Sequence, residues 1–408
     1  MRKIIAIILI AALCVSMFTA CVEKQIEAAT PTTNPEAVTD ESTATEEPAV
    51  VGTPAPTEKD YARLITQVPA GADLETAVRL ENRNCKHIQA MKVLFADDSY
   101  KAYFKAVTNL KKNPTAETLT AALEAREALV QVNTIADKLW FIWDGTTMPV
   151  VDGESFTEEE LDKSQMFGYG FEPFAIKYLV ADQSKCKGNI IAVSGGAYLV
   201  WSNGSEGYPA AQVFNDLGYN YFLLQRRVGP YSPEDIYMDY QRFVRVVKYH
   251  AETENYGGQD MYAALGWSGG GGTILGGSVN ELYGLLNPTK YDAEYVPDAL
   301  DAISSDVDVE LVIYGAHGGI TTKDNANLPA FYICVGSEDG TGPEDSTKLY
   351  NQALEAGSPA MLYIVEGAPH GFGVGLPPAA GANVPGTELW PAQADEFMQA
   401  NLGWQKNG

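Results

Sequence analysis

The chain has 408 residues, of which 46% are hydrophobic and 20% are charged, a composition typical of folded proteins with a large core. At roughly 100–200 residues per domain, this length predicts two to three units. Asp and Glu outnumber Lys and Arg by 53 to 28, for a formal net charge of -25. Because phosphate binding and docking on anionic membranes both need clustered basic residues, this charge argues against nucleic acid as a partner and disfavours electrostatic membrane docking.

A targeting signal is predicted for residues 1–20. Arg2 and Lys3 precede an uncharged apolar run that is too short to span a bilayer and is typical of a secretory signal peptide. The segment 18–21, Phe-Thr-Ala-Cys, is similar to the lipobox of bacterial lipoproteins, although Phe18 stands where Leu is usual. The resemblance implies that Cys21 is acylated and that the protein is exported and lipid-anchored to the outer face of the bacterial cell membrane, extracellular or periplasmic. The alternative is ordinary cleavage beside an incidental cysteine.

Two further segments precede the predicted catalytic part. Residues 21–60 are rich in Thr, Pro, Ala and Glu and contain no aromatic residue, so they are predicted to form a disordered tether. Residues 61–138 have apolar residues at helical spacing, with start signals at Ser99 and at Pro114. We expect this helical extension to be either a packing appendage or a cap over a site.

From residue 139 the pattern changes, because short apolar runs alternate with amphipathic stretches. The alternation predicts that 139–408 is one α/β domain, with a mainly parallel sheet flanked by helices on both faces. Strands are predicted at Phe174–Val180, Asn189–Val193, Tyr219–Leu224, Tyr262–Gly266, Val309–Tyr314, Ala330–Val335 and Ala360–Val365. Helices are predicted at Tyr208–Leu217, Asp235–Glu252, Ser346–Ala356 and Pro391–Asn401.

The cysteines of the chain do not point to a functional site. Beyond Cys21 the chain has Cys85, Cys186 and Cys334, an odd number without a C-x-x-C pair, so neither a disulfide framework nor a Cys-rich metal site is predicted. Cys334 lies in an apolar run and is interpreted as a buried small hydrophobe. A bridge between Cys85 and Cys186 stays open for an exported chain.

The strongest local motif is the segment 266–270, Gly-Trp-Ser-Gly-Gly, which fits G-x-S-x-G. An apolar run precedes it and residues that can continue a helix follow it, which is the strand–turn–helix context of a nucleophile. Such a turn is sharp and strained, so the residues two positions away must lack side chains. The pattern predicts Ser268 as a nucleophile.

A serine nucleophile needs a base and a residue that orients the base. Of the four histidines, His370 lies in a Gly-rich loop after a predicted strand, where a base is expected, whereas His250 ends an amphipathic helix and is expected at the surface or as a helix cap. Asp339 follows another predicted strand and is our choice for the orienting carboxylate. Glu338 and Asp345 are its rivals.

Acyl transfer also needs N–H donors aimed at the developing oxyanion. The segment 194–198, Ser-Gly-Gly-Ala-Tyr, follows a predicted strand, so the N–H groups of Gly195, Gly196 and Gly269 are the predicted donors. Further residues are predicted to line the pocket; they are Ala197, Tyr198, Trp267 and His317. The segment 316–319, Ala-His-Gly-Gly, looks like an oxyanion motif but follows the nucleophile, so His317 is expected at most at the edge of the site.

Together these residues resemble the α/β-hydrolase superfamily, most closely its acetyl-esterase and hormone-sensitive-lipase-like carboxylesterases. The likeness covers about residues 171–404 and keeps the order Ser268, Asp339, His370. Further matching segments are 194–198, 206–211, 214–215, 218–219, 224–228, 370–372, 390–391 and 397–398. The oxyanion loop departs from the family, because Ser194 replaces the usual His or Pro and Ala197 replaces a third Gly. In the lipase-like branch an N-terminal helical cap covers the site, which by analogy favours that role for 61–138.

The resulting prediction is a secreted serine carboxylesterase with a Ser-His-Asp triad and an acyl-enzyme, which needs no metal or organic cofactor. The expected substrate is a small-molecule or carbohydrate ester with a short acyl chain, including acetylated or feruloylated sugars. A serine peptidase is a close alternative. A non-catalytic ligand-binding envelope lipoprotein on the same scaffold is an alternative of another class. The sequence predicts no oligomeric state.

Overall fold

The computed structural model describes residues 64–131, 138–153, 155–157, 172–282, 288–317, 320 and 328–404. The predicted signal peptide and tether therefore lie outside the described residues. The helices within this part are α1 Leu74–Ala90, α2 Asp97–Lys112, α3 Ala116–Glu127, α4 Gly207–Asp216, α5 Pro233–Thr253, α6 Gly269–Leu282, α7 Pro288–Tyr291, α8 Gly342–Glu355 and α9 Trp390–Ala400. The strands are β1 Lys138–Phe141, β2 Phe174–Tyr178, β3 Asn189–Val193, β4 Asn220–Gln225, β5 Tyr262–Trp267, β6 Val309–Ile313, β7 Ala330–Gly336 and β8 Ala360–Val365.

The strands form one eight-stranded sheet in the order β1-β2-β4-β3-β5-β6-β7-β8. Strand β2 pairs antiparallel with β1 and β4, and the pairs from β4 across to β8 are parallel. This order and polarity are those of the α/β-hydrolase fold, so the predicted fold class is confirmed. Strand β1 was not predicted, because four residues at an edge carry too short a pattern.

The central strands of the sheet are buried on both faces, whereas the edge strand β8 is partly exposed. Every residue of β3, β4, β6 and β7 is buried, which explains why these strands appear in the sequence as mostly apolar runs. Successive side chains point to opposite faces, so Ile190 and Ala192 join one core cluster whereas Ile191 and Val193 join the other. The helices on the two faces therefore enclose two separate apolar layers.

The helices α1–α3 of the predicted extension pack around a buried polar cluster. Glu81 accepts a hydrogen bond from the Tyr103 hydroxyl at 2.9 Å and forms an ion pair with Arg126. The Tyr208 hydroxyl of α4 donates to the carbonyl of Ala90 at the end of α1, which ties the extension to the sheet domain. These contacts describe packing, and the cap over a site stays a prediction.

One alternative that the sequence left open is not realised, and one expectation is wrong. Cys85 and Cys186 are both free thiols, so the bridge between them is not formed. His250 lies in the last turn of α5, as expected, but it is not at the surface. Its ring is buried and stacks on Trp140 at a centroid distance of 4.3 Å, and its Nδ1 lies 2.8 Å from Glu254. Among the described helices, none is long and apolar enough to cross a membrane.

Glu310 is a carboxyl group in the middle of the sheet that forms no ion pair within the described residues. Glu310 of β6 is fully buried, and neither of its oxygens has a hydrogen-bond partner within the described residues. Burial raises the pKa of Glu310 from 4.5 to about 7, an effect that the neighbouring Ser278 hydroxyl only partly offsets. Between pH 4.5 and about 7, Glu310 is therefore protonated in the folded protein and ionised in the unfolded chain.

We expect this proton to make folding stability depend on pH. Between pH 4.5 and about 7 the folded state binds more protons than the unfolded state, so Glu310 lowers the free energy of unfolding as pH rises through this window. The Glu310→Gln variant should lose this decline, a difference on the order of 3 kcal/mol between pH 4 and pH 8. Urea unfolding at both pH values measures it, with exposed Glu355→Gln as the control. A decline that is unchanged in Glu310→Gln would contradict the assignment.

Candidate active site

Ser268 lies in the turn between β5, which ends at Trp267, and α6, which begins at Gly269. Its φ of 49° is in the left-handed region, which is uncommon for a residue with a side chain. The turn is held because the Ser268 N–H donates to the carbonyl of Ile313 at 3.0 Å and its own carbonyl accepts from Gly272 at 3.1 Å. The sequence thus forms a strand–turn–helix that lifts the hydroxyl above the edge of the sheet.

Glycines around the turn allow backbone segments to cross at short distances. A Cβ added to Gly270 would lie 2.0 Å from the carbonyl oxygen of Val193, and one added to Gly266 would lie 2.5 Å from the carbonyl oxygen of Gly270. A Cβ added to Gly271 would lie 2.7 Å from the Cα atom of Gly315. Real Cβ atoms do not approach other atoms this closely, so the turn requires glycine at these positions for steric reasons.

The three residues predicted as a triad lie in one hydrogen-bonded chain. His370 Nε2 is 2.9 Å from Ser268 Oγ, and His370 Nδ1 is 2.8 Å from Asp339 Oδ1 and 2.9 Å from Asp339 Oδ2. A neutral imidazole that donates its Nδ1 proton to the carboxylate presents Nε2 as the acceptor for the serine hydroxyl. The arrangement can therefore take a proton from Ser268.

The three side chains of the triad differ in how deeply they are buried. The Asp339 side chain is 11% exposed and the His370 side chain is 44% exposed, while Ser268 is half-buried. The rival carboxylates lie elsewhere, because Asp345 faces His317 at 3.9 Å and Glu338 is exposed. The site is thus open to solvent on the side of the histidine.

One predicted oxyanion donor is already engaged. The Gly195 N–H donates to Glu206 Oε2 at 2.6 Å, so this part of the prediction is wrong. The N–H groups of Gly196, Ala197 and Gly269 have no acceptor in the part of the chain that the structure describes. A Cβ added to Gly269 would lie 3.1 Å from the Ala197 nitrogen, so two of these N–H groups belong to neighbouring backbones.

The N–H of Ala197 is a candidate donor that the sequence analysis missed, because it placed this residue only in the pocket lining. The loop that carries it passes directly over the nucleophile, because a Cβ added to Gly195 would lie 2.9 Å from Ser268 Cβ. Both Gly196, with φ 116°, and Ala197, with φ 51°, have left-handed backbone. The side chain at 197 gave no signal, since an oxyanion donor is a main-chain group.

The remaining pocket predictions have different outcomes. Trp267 is fully buried and packs edge-on against Trp390 at 6.3 Å, so it does not line a pocket. Ala197 is exposed and Tyr198 is half-buried in the oxyanion loop. His317 is exposed near the triad, and partial burial together with the neighbouring His370 lowers its pKa. For these three residues, pocket lining stays a prediction.

Two buried ionisable residues beside the oxyanion loop were not predicted as site residues. Glu206 is the N-cap residue that directly precedes α4, and it accepts hydrogen bonds from Gly195 and from the Tyr314 hydroxyl. Arg226 follows β4, is fully buried under the Tyr198 ring at 5.7 Å, and has no hydrogen-bond partner for its side-chain nitrogens within the described residues. The sequence carries no signal for either role, because only the fold brings these segments together.

The described residues contain no group of three side chains that could hold a metal ion. What the site offers is a hydroxyl, an imidazole, a carboxylate and free N–H groups, of which that of Gly269 lies at the N-terminus of α6. The helix dipole adds positive potential at the same place. These are the groups that a nucleophilic acyl transfer requires.

Comparison with protein-family models and with curated proteins finds no match. Among solved structures, the chain is similar to an acetyl ester-xyloside bifunctional hydrolase from Caldicellulosiruptor lactoaceticus, at 21% identity and TM-score 0.45, over 56% of this chain and 88% of that one. It is also similar to Thermogutta terrifontis esterase 2, at 20% identity and TM-score 0.45, over 56% of this chain and 90% of that one. Because both TM-scores are below 0.5, we assign the α/β-hydrolase fold from the strand order and the turn at Ser268 alone.

We expect Gly270→Ala to disrupt the turn, because its Cβ would lie 2.0 Å from a main-chain oxygen that cannot move without breaking the sheet. The cost should be at least that of overpacking a core, about 1–3 kcal/mol of unfolding free energy. The matched control is Gly204→Ala, since a Cβ there meets nothing within 4 Å. Thermal unfolding compares the two variants, and equal midpoints would contradict the steric account.

Proposed function

We propose that this protein is a secreted, lipid-anchored serine hydrolase that cleaves carboxylic esters. The observation that carries the hydrolase assignment is the row of hydrogen bonds from Asp339 through His370 to Ser268. Secretion and anchoring are proposed from the sequence pattern of residues 1–21 alone. Free N–H groups of Gly196, Ala197 and Gly269 support it, because they lie beside the nucleophile without acceptors in the described part of the chain.

The mechanism follows from the roles of these groups. His370 Nε2 takes the hydroxyl proton as Ser268 Oγ attacks the ester carbonyl, and the N–H groups stabilise the oxyanion that forms. His370 then gives the proton to the leaving alcohol, which leaves an acyl group on Ser268. Water, activated by the same imidazole, hydrolyses this intermediate. Asp339 keeps the Nδ1 proton in place and stabilises the imidazolium.

The proposed substrates are small or accessible esters with short acyl chains, including acetylated or feruloylated carbohydrates. The exposure of 44% of the His370 side chain supports an accessible ester, because a bulky or polymeric alcohol needs room on the side where the leaving group departs. Proposed export supports the same choice, since it places the site outside the cell. The choice between an ester and an amide depends on the leaving group, and no described contact favours a peptide.

The alternative of a binding lipoprotein would be supported by a missing triad member. All three side chains are present here at 2.8–2.9 Å from their partners, so we favour the enzyme.

We expect Ser268→Ala to lower ester turnover by about 10³-fold or more while the fold stays intact, and His370→Ala to have nearly the same effect. Hydrolysis of nitrophenyl acetate, butyrate and octanoate by the purified full-length protein measures it, with the distant Ser304→Ala as the matched serine control. A serine-directed phosphonate should label the wild type and Ser304→Ala but not Ser268→Ala. Full activity in Ser268→Ala would refute the mechanism.

The anchoring proposal is tested separately. If Cys21 is acylated, cells expressing the protein should incorporate labelled palmitate into it, and the protein should fractionate with membranes. In Cys21→Ser both signals should disappear, while Cys186→Ser should retain both. Label that persists in Cys21→Ser would mean that acylation occurs elsewhere.

A further inference from the structure

A buried carboxylate joins the two loops that the proposed reaction needs. Glu206 is 4% exposed, and its Oε2 accepts from the Gly195 N–H at 2.6 Å. Its Oε1 accepts from the Tyr314 hydroxyl at 3.0 Å. Gly195 lies against Ser268, while Tyr314 follows β6, so one carboxylate links the oxyanion loop to the neighbouring strand end.

Tyr314 continues this link to the histidine. Its hydroxyl accepts from the Gly373 N–H at 3.0 Å, three residues after His370, and its ring lies edge-on to the His370 ring at 4.8 Å. A Cβ added to Gly373 would lie 2.2 Å from the carbonyl oxygen of Ser205, so the loop after the histidine lies against the residue that precedes Glu206. The φ of Tyr314 is 38°, which is unfavourable for a residue with a side chain, and the contacts described above hold the backbone in this conformation.

We propose that Glu206 and Tyr314 are positioning residues that fix the oxyanion loop relative to His370, and that the charge of Glu206 favours the imidazolium that forms on His370 during catalysis. This inference rests on the proposed function. Neither residue touches the reacting atoms, so their effect passes through Gly195 and through the Tyr314 ring. Small displacements of donors and base lower the rate steeply, because catalysis depends on their preorganised positions.

The charge of Glu206 is sensitive to pH near neutrality. Burial raises its pKa to about 7, while the hydrogen bonds from Gly195 and Tyr314 and the positive charges of His370 and Arg226 lower it. The buried phenol of Tyr221 also faces this carboxylate. Glu206 is therefore ionised above about pH 7 and neutral well below it. Its attraction for the His370 imidazolium is present at alkaline pH and is lost as pH falls.

Two conservative variants separate charge from hydrogen bonding. In Glu206→Gln the amide oxygen can accept from Gly195 and the amide nitrogen can donate to the Tyr314 oxygen, so the shape stays while the charge is lost. In Tyr314→Phe the ring stays beside His370 while the hydrogen bonds to Glu206 and from Gly373 are lost. Glu355→Gln, at an exposed position at the end of α8, is the matched control for loss of a carboxylate.

The experiment measures kcat and KM for nitrophenyl acetate between pH 5.5 and pH 9 in the wild type and these variants, with Ser268→Ala as the blank. At pH 8.5 we expect kcat to fall about tenfold in Glu206→Gln and in Tyr314→Phe, with KM nearly unchanged. This loss of kcat is smaller than the loss caused by removing an oxyanion donor itself. For Glu206→Gln the ratio to wild type should shrink towards one below pH 6, because the wild-type carboxyl is then neutral. Glu355→Gln should match the wild type throughout.

The outcomes are distinguishable. A kcat ratio between wild type and Glu206→Gln that stays constant with pH, or a change in KM alone, would overturn the role of the charge and leave a structural role only. Tyr314→Phe with wild-type kcat would overturn the positioning link. A folded wild type without turnover that depends on Ser268 would instead overturn the proposed function, and the positioning role with it.

Discussion

The structure depends on the close passage of two backbones, the loop after β3 and the turn after β5. Parallel pairing aligns Val193 with Gly266, which brings both strand ends to the same level. A side chain on Gly270 would collide with the Val193 carbonyl, and one on Gly195 would lie 2.9 Å from Ser268 Cβ. Because neither collision occurs, the N–H groups of the loop can lie beside the nucleophile. Glycine is thus needed here for close approach rather than for flexibility.

Around this crossing the protein buries ionisable groups that a purely structural core would avoid. Glu206 lies under the oxyanion loop, and Arg226 lies under Tyr198 with no hydrogen-bond partner for its side-chain nitrogens within the described residues. Burial raises the pKa of the first to about 7 and lowers that of the second to about 10. Buried charge destabilises a fold unless it is compensated, so such groups concentrate where they serve a site. Glu310 has a similarly raised pKa in the centre of the sheet, where we find no link to the site.

The three triad candidates were predictable because each follows a strand whose apolar pattern is clear in the sequence. Ser268 has its glycines at fixed offsets, while Asp339 and His370 lie in Gly-rich loops after apolar runs, and parallel strand ends share one edge of the sheet. The wrong predictions arose where the sequence pattern does not show which residues become neighbours in the fold. Gly195 looked like a free donor because the carboxylate that binds it lies eleven residues further along the chain. Trp267 was placed in the pocket because the motif does not show which face of the turn its ring takes.

By itself, the sequence determined the fold class, the order of the strands from β2 to β8 along the chain and the identity of the triad candidates, because burial on both faces and sharp turns restrict residue types locally. Tertiary structure alone decided which N–H groups stay free, where β1 pairs, that His250 is buried against Trp140, and that Glu206 meets Tyr314. The physical reason is distance along the chain. Hydrogen bonds and close contacts between segments such as 206 and 314, 108 residues apart, leave no periodicity in the sequence that could reveal them.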